Sequence, residues 1–284
     1  MKDFDLLIDI DELFKNLKNP NFRIIDTRFL LSDTTLGYKQ YQLNHLPKAV
    51  YAHLDDDLSS NVTSKTGRHP LPKINTLIDR IEGWGISNDS QVIIYDQSNG
   101  SIASRLWWMF RWLGHNKVAI LNGGFNKWIE NEHNVTNEKI GVRRGIFRYK
   151  NNNLGVLKTK DIEKNLISKS FVLFDARDND RFLGINEPID DKAGHIPNSV
   201  NLPFNKFLNK NGTWKSIKEI RKIWDNLDIS NNTYGVMCGS GVTACHLIVS
   251  ALIAGIPEPR LYAGSWSKWI IDPRHSIEKI TLQK

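Results

Sequence analysis

The chain contains itself twice, and that repeat limits the fold more than any other feature. Ile24-Ile25-Asp26-Thr27-Arg28 is answered by Leu173-Phe174-Asp175-Ala176-Arg177, each an apolar run closing on Asp-x-Arg. His45-Leu46-Pro47 is answered by His195-Ile196-Pro197, and Val92-Ile93-Ile94-Tyr95 by Tyr234-Gly235-Val236-Met237. Gly123-Gly124-Phe125-Asn126-Lys127-Trp128 is answered by Gly264-Ser265-Trp266-Ser267-Lys268-Trp269. Asp26 and Asp175 are 149 residues apart, His45 and His195 150, and Trp128 and Trp269 141, all in one order. Two copies of roughly 130 residues are domain-sized, so a duplicated domain is expected and a solenoid is not.

Within each copy, short apolar strands alternate with helical patterns. The spacing predicts helices over 73–84 and 103–113 in the first copy, and over 218–227 and 243–254 in the second. That alternation argues for an α/β fold in tandem, each copy a mostly parallel sheet flanked by helices. Ligands of such sheets sit beyond the carboxyl ends of the strands. The expected organisation is a first domain over 1–135, a polar linker over 136–157 and a second domain over 158–284. The linker carries Asn151-Asn152-Asn153 and the basic cluster Arg143, Arg144, Arg148 and Lys150, which reads as a solvated strap.

Composition narrows the classes. No apolar run approaches the ~20 residues that span a bilayer. The opening Met1-Lys2-Asp3-Phe4-Asp5 has acid where a leader has base, so a cytoplasmic protein that avoids membranes is expected. The net charge of +7 permits attraction to anions. No aromatic-basic stripe accompanies it, so nucleic acid is not an expected partner. With 2 cysteines the chain supports neither a disulfide scaffold nor a four-cysteine zinc site, and no metal or cofactor is called for.

One loop stands out. Cys238-Gly239-Ser240-Gly241-Val242-Thr243 joins a buried strand to an apolar helix. Its glycines let the backbone curl, so that amides from Gly239 to Thr243 converge on one point, with the helix N-terminus behind them. Cys238 stands at the strand tip where these dipoles aim. Such surroundings can lower a thiol from a pKa of ~8.5 into the ~3.5–7.5 range. The alternative, a buried inert cysteine, ignores the glycine loop. Cys245, two helical turns on among Ala244 and Leu247, reads as core, with a resolving thiol as the other possibility. The first copy has Asp96 where the second has Cys238, within one residue of drift. A carboxylate is no substitute for an activated thiol, so the first copy is expected to be inactive.

Cys-Gly-Ser-Gly-Val-Thr-Ala at 238–244, Gly-His-Ile-Pro at 194–197 and Gly-Ser-Trp-Ser-Lys-Trp at 264–269, on a duplicated chain, resemble the two-domain rhodanese-like sulfurtransferases. The resemblance covers essentially the whole chain. It implies catalysis in the second domain, beside a cleft between the two. It further implies a Cys238 persulfide, filled by a small anionic donor (3-mercaptopyruvate or thiosulfate) and emptied by cyanide, a thiol or a protein thiol. Arg181 matches the family's substrate-binding arginine, with Arg177 as rival. The recurrence of Arg177 as Arg28 suggests a structural role. Ser240, His69 and Asp55 match a relay proposed for mercaptopyruvate-type members. The competing view leaves His69 a loop histidine and Asp55 part of a solvated Asp55-Asp56-Asp57 run.

The chain departs from both subtypes. Mercaptopyruvate-type members commonly carry an arginine just after Glu-Pro, whereas here Glu187-Pro188 is followed by Ile189-Asp190-Asp191-Lys192. Lys192 offers only a point charge in its place. Thiosulfate-type loops carry Arg-Lys where this chain has Gly239-Ser240. A phosphatase of the Cys-x5-Arg kind is disfavoured, because Ala244 stands at the arginine's place. A sulfur-relay binding protein with a dedicated protein acceptor stays open.

Overall fold

The computed structural model describes residues 3–152, 155–227, 229 and 233–279. Met1 and Lys2 of the leader reading, Asn153 of the linker run and the last residues of the second domain lie outside the described residues. The chain forms two compact units. The first comprises Met1–Ser60, Leu71–Leu154 and Leu208–Trp214, and the second Asn61–Pro70, Gly155–Phe207 and Lys215–Lys284. The segment holding His69 is therefore part of the second unit, and the polar stretch from 136 belongs to the first unit as far as Leu154.

The first unit runs β1 (Leu7–Ile8), α1 (Ile10–Asn16), β2 (Phe22–Asp26), α2 (Leu36–Leu43), β3 (Ala49–Tyr51), α3 (Ile74–Gly83), β4 (Gln91–Tyr95), α4 (Ala103–Trp112), β5 (Val118–Leu121) and α5 (Gly124–Glu130). Its sheet has the order β1-β5-β4-β2-β3, and every pairing is parallel. The second unit runs α6 (Thr159–Ser168), β6 (Val172–Asp175), α7 (Asn179–Leu183), β7 (Ser199–Asn201), a 3-10 turn (Phe204–Phe207), α8 (Ile217–Asp225), β8 (Tyr234–Met237), α9 (Ala244–Ile253), β9 (Arg260–Leu261) and α10 (Ser265–Trp269). Its order, β7-β6-β8-β9, repeats that of the first sheet without β1 and is again all parallel. A single parallel bridge from Val156 to Leu261 stands where β1 pairs with β5.

The sequence patterns explain these choices. β4 and β8 are buried along their whole length, as strands covered on both faces of a parallel sheet must be. α4 and α9 each bury eight consecutive residues, Ala103–Phe110 and Ala244–Ala251, so they pack as core helices and not as amphipathic ones. α8 is the opposite case, opened by a capping box in which Ser216 accepts from the Glu219 amide. The four helices expected from spacing are all present, with ends one or two residues from those expected, as fraying and caps allow.

The described residues of the polar stretch that reads as linker pack on the first unit. Arg144 bridges Asp79 and Glu82, Phe147 is buried, and the Lys150 amide donates to the Leu113 carbonyl at 3.0 Å. Among the described residues no helix is long and apolar enough to cross a membrane.

Candidate active site

β8 pairs with β6 so that Met237 stands opposite Asp175. Cys238 is therefore the first residue beyond the carboxyl end of a central strand, the position at which parallel sheets bind ligands. Its side chain is buried, with 2% of the residue exposed. The Gly241 amide donates to Cys238 Sγ at 3.1 Å. Gly241 adopts φ +79°, and a Cβ there would come within 2.4 Å of the Ala263 carbonyl oxygen. Only glycine closes the loop this way.

The last repeat segment holds the loop from behind. The Trp266 amide donates to the Cys238 carbonyl at 3.0 Å and the Ser267 amide to the Gly239 carbonyl at 2.8 Å. The Cys238 amide donates to Ser265 Oγ at 3.1 Å, and that hydroxyl donates to the Tyr262 carbonyl at 2.9 Å. Ser265 does this from a left-handed backbone, φ +54°, a strained conformation for serine. Val242 and Thr243 turn into α9; their carbonyls accept from the Cys245 and His246 amides. Cys245 is fully buried, and its thiol donates to the Gly241 carbonyl at 3.5 Å.

Of the expected relay, Ser240 and His69 come together. Both are buried, and Ser240 Oγ lies 2.7 Å from His69 Nδ1. The 61–70 segment is fixed in this unit by further bonds. The Arg68 amide donates to Ser267 Oγ at 3.0 Å, and Lys268 Nζ donates to the Lys65 carbonyl at 2.5 Å. Asp55 lies in the first unit, half-buried, on the turn where its amide donates to His53 Nδ1 at 3.2 Å.

Three arginines stand with three carboxylates. Arg177 is buried against Asp175, its Nη2 at 2.7 Å from Oδ2 and 2.8 Å from the Gly194 carbonyl, with its guanidinium over the Trp266 ring. Arg28 repeats this pairing with Asp26 at 2.7 Å, over Phe125. The Asp-x-Arg motif is thus a brace common to both copies. Burial works against the Arg177 charge, but the charge and hydrogen bond of Asp175 outweigh it and hold the group above its usual value, with Glu187 and the Cys238 sulfur adding to the effect. Arg181 meets Glu187 at 2.8 Å and Asp190 at 3.0 Å. Burial would raise the Glu187 carboxyl, but Arg181 and the amides of Asp190 and Ile189 hold it below the usual carboxylate range.

The third arginine is one that sequence reasoning missed. Arg68 pairs with the other oxygen of Asp190. A Cβ built on Gly239 would lie 2.9 Å from Arg68 Nη2 and 3.4 and 3.5 Å from the terminal nitrogens of Arg181. Both guanidinium groups therefore crowd the residue next to Cys238. The only signal in the sequence was adjacency to His69. Lys192, the point charge that follows Glu187-Pro188, donates to the Ile270 carbonyl at 3.0 Å. Among the described residues no group of three or more His, Cys, Asp or Glu side chains could hold a metal ion.

A cysteine at a parallel-strand tip, an amide on its sulfur, a helix N-terminus beyond and cations beside it are surroundings that activate a thiol for nucleophilic group transfer on an α/β scaffold. The rhodanese-like domain profile matches residues 9–131 and 158–272. A probable 3-mercaptopyruvate sulfurtransferase of Pseudomonas aeruginosa is 38% identical over 275 residues, 95% of this chain and 97% of the relative. The thiosulfate sulfurtransferase of Mus musculus is 38% identical over 259 residues, 88% of this chain and 85% of the relative. Among solved structures, a 3-mercaptopyruvate sulfurtransferase from Leishmania major superposes with a TM-score of 0.82 at 30% identity, covering 93% of this chain and 73% of that one. The chain belongs to the rhodanese-like family and is a tandem-domain sulfurtransferase.

Proposed function

We propose that Cys238 carries sulfane sulfur as a persulfide, taken from 3-mercaptopyruvate and passed to cyanide or to a low-molecular-weight or protein thiol. The thiolate attacks the donor sulfur, the carbon–sulfur bond breaks, and its electron pair leaves as pyruvate enolate. The outer sulfur of the persulfide rests in the amides of Gly239, Gly241, Val242 and Thr243, a cradle of fixed dipoles. The acceptor then attacks that sulfur, and the sulfur–sulfur bond breaks to restore the Cys238 thiolate.

The observation that carries the donor choice is the buried hydrogen bond between Ser240 Oγ and His69 Nδ1, at 2.7 Å, two residues from the nucleophile. An enolate gains most from a proton donor, and a serine recharged by histidine supplies one. Asp55 enters as third member on the family resemblance alone. Arg181 binds the donor carboxylate. Steady-state rates with mercaptopyruvate and thiosulfate side by side test the reading: a higher kcat/KM for mercaptopyruvate is expected, and a preference for thiosulfate overturns it.

A thiosulfate-preferring enzyme is the second reading, and one observation favours it. Arg68 brings a cation to Gly239, where thiosulfate-type loops carry arginine. Persulfide formation without cyanide turnover would point to a dedicated protein acceptor.

A further inference from the structure

The second carboxylate-binding arginine expected after Glu187-Pro188 is absent, and a carboxylate, Asp190, stands in that segment. Its position is informative. The Asp190 side chain is 3% exposed, held between two guanidinium side chains that remain partly open, Arg181 at 16% and Arg68 at 25%. One oxygen takes Arg68 and the other Arg181, the two-sided grip that a planar carboxylate accepts best. Both cations crowd Gly239, next to the nucleophile. The buried Arg68 Nε–H has no acceptor among the described residues, and a buried donor left so is costly unless something fills the place. Within the cluster, Arg68, Arg177 and Arg181 balance Asp175, Glu187 and Asp190. An anionic donor arriving beside the Cys238 thiolate adds two negative charges to a neutral group, unless one carboxylate gives up its cations. Glu187 and Asp175 are fixed by several bonds each. Among the described residues the Asp190 side chain is held by the two arginines, on a stretch without helix or strand.

We propose that Arg68 and Arg181 together hold the donor's carboxylate, and that Asp190 is a built-in stand-in for it, which the donor displaces. This rests on the sulfurtransfer reading above. It assigns to Arg68, from a segment far away in sequence, the role of the missing second arginine. It also makes Gly239 the residue whose lack of a side chain leaves room for that cation.

The test uses the full-length protein and pyruvate, a carboxylate with no sulfur to transfer, as the binding probe. Pyruvate Kd is read by calorimetry, and KM and kcat with mercaptopyruvate. Arg68→Gln is expected to weaken pyruvate and raise KM by about tenfold, the loss of one charge-assisted contact, with kcat much less affected. Arg68→Lys recovers part of the affinity, since a point charge replaces a planar fork. Asp190→Asn is expected to tighten pyruvate by about threefold or more, because a neutral amide competes less well for two guanidinium groups. An Arg68→Gln affinity within about threefold of wild type overturns the assignment of Arg68. Pyruvate bound no tighter, or more weakly, by Asp190→Asn overturns the stand-in. Should Arg68→Gln not fold, the Arg68→Lys and Asp190→Asn affinities decide. Failure of the wild type to gain sulfur at Cys238 would sink the sulfurtransfer reading instead, while the pyruvate affinities would still judge this one.

Discussion

Two loops of this chain answer the same structural problem with opposite chemistry. In the first unit, β4 ends at Tyr95 opposite Asp26; in the second, β8 ends at Met237 opposite Asp175. Asp96 and Cys238 are therefore equivalent without any drift. The Asp96 carboxylate accepts four backbone amides, from Ser98 at 3.1 Å, Gly100 at 3.0 Å, Ile102 at 2.9 Å and Ala103 at 3.2 Å. Cys238 Sγ receives the Gly241 amide at 3.1 Å, the counterpart of the Gly100 contact. Gly100 and Gly241 share the left-handed backbone, φ +74° and +79°. Ser104 donates to the Gly100 carbonyl as Cys245 does to that of Gly241. In one copy the loop amides are filled by the protein's own anion. In the other the matching glycine amide meets a thiol sulfur, the one proposed above to be charged and discharged. The duplicated fold places the same loop at both strand tips, and on the proposed function one side chain decides whether that loop serves structure or chemistry.

The comparison also shows what a sequence can carry. The Asp-x-Arg motifs and the matching positions of Asp96 and Cys238 were legible because the repeat supplied an internal control; the amides gathered on Asp96 were not. Arg28 beside Arg177 predicted a structural arginine, and the pairing with Asp26 and Asp175 agrees. The one-residue drift falls inside the loop, between Asp96 and Gly100, and not before it. Arg68 and Asp190 were illegible for a physical reason: they stand 122 positions apart. No local period links them, and Asp190 registered only as an arginine that was missing. Ser265 was likewise read as a repeat landmark, with no sign that a hydroxyl in a left-handed turn would hold the Cys238 amide.

The largest expected effect breaks the symmetry at its centre. Cys238→Ser should take up no sulfur from either donor by intact-mass analysis, and cyanide turnover should fall to background. Adding Asp96→Cys to that variant should not restore it. The first loop is one residue longer between Asp96 and Gly100 and offers its amides to two oxygens. An adduct on residue 96 would show that the cradle alone makes a sulfur carrier.

Next in size is the contrast between the loop serines. Ser240→Ala should lower kcat with mercaptopyruvate by ~10²–10⁴, the range for general acid–base help, and lower thiosulfate turnover less. Ser98→Ala, the corresponding serine of the first loop, should leave both unchanged. Equal and small effects at the two sites would remove the relay from the mechanism.

A stability effect follows. Asp96→Asn keeps the shape but turns an NH2 towards amides that now donate to an oxygen. The loss of charged hydrogen bonds in a buried site should cost about 3 kcal/mol, read as a lower urea midpoint. Turnover per folded molecule should be unaffected, because the proposed chemistry belongs to the other loop. A midpoint within error of wild type would mean that the carboxylate is not what closes the first cradle.

The smallest effect sits one helix further on, where the copies again diverge. The turn after α4 places His115 with its amide on the Phe110 carbonyl, and the turn after α9 places Ile256 with its amide on that of Ala251. Both side chains are buried. His115 lies between Phe110 and Phe147, ring centroids 5.5 and 5.6 Å away, and that burial pushes its pKa down to about 4. The unfolded chain takes the proton near ~6.5. Between those values the unfolded state binds more protons than the folded one, so stability falls as pH falls from 6.5 towards 4. At pH 5 the penalty should be about 2 kcal/mol from this one group. His115→Ile, which gives the first copy the residue of the second, should remove most of it. The measurement is urea unfolding of both proteins at pH 7 and pH 5. The stability difference between them should move by about 2 kcal/mol in the variant's favour on acidification. Parallel curves at both pH values would show that His115 finds another way to accept its proton, and that the acid sensitivity of the chain lies elsewhere.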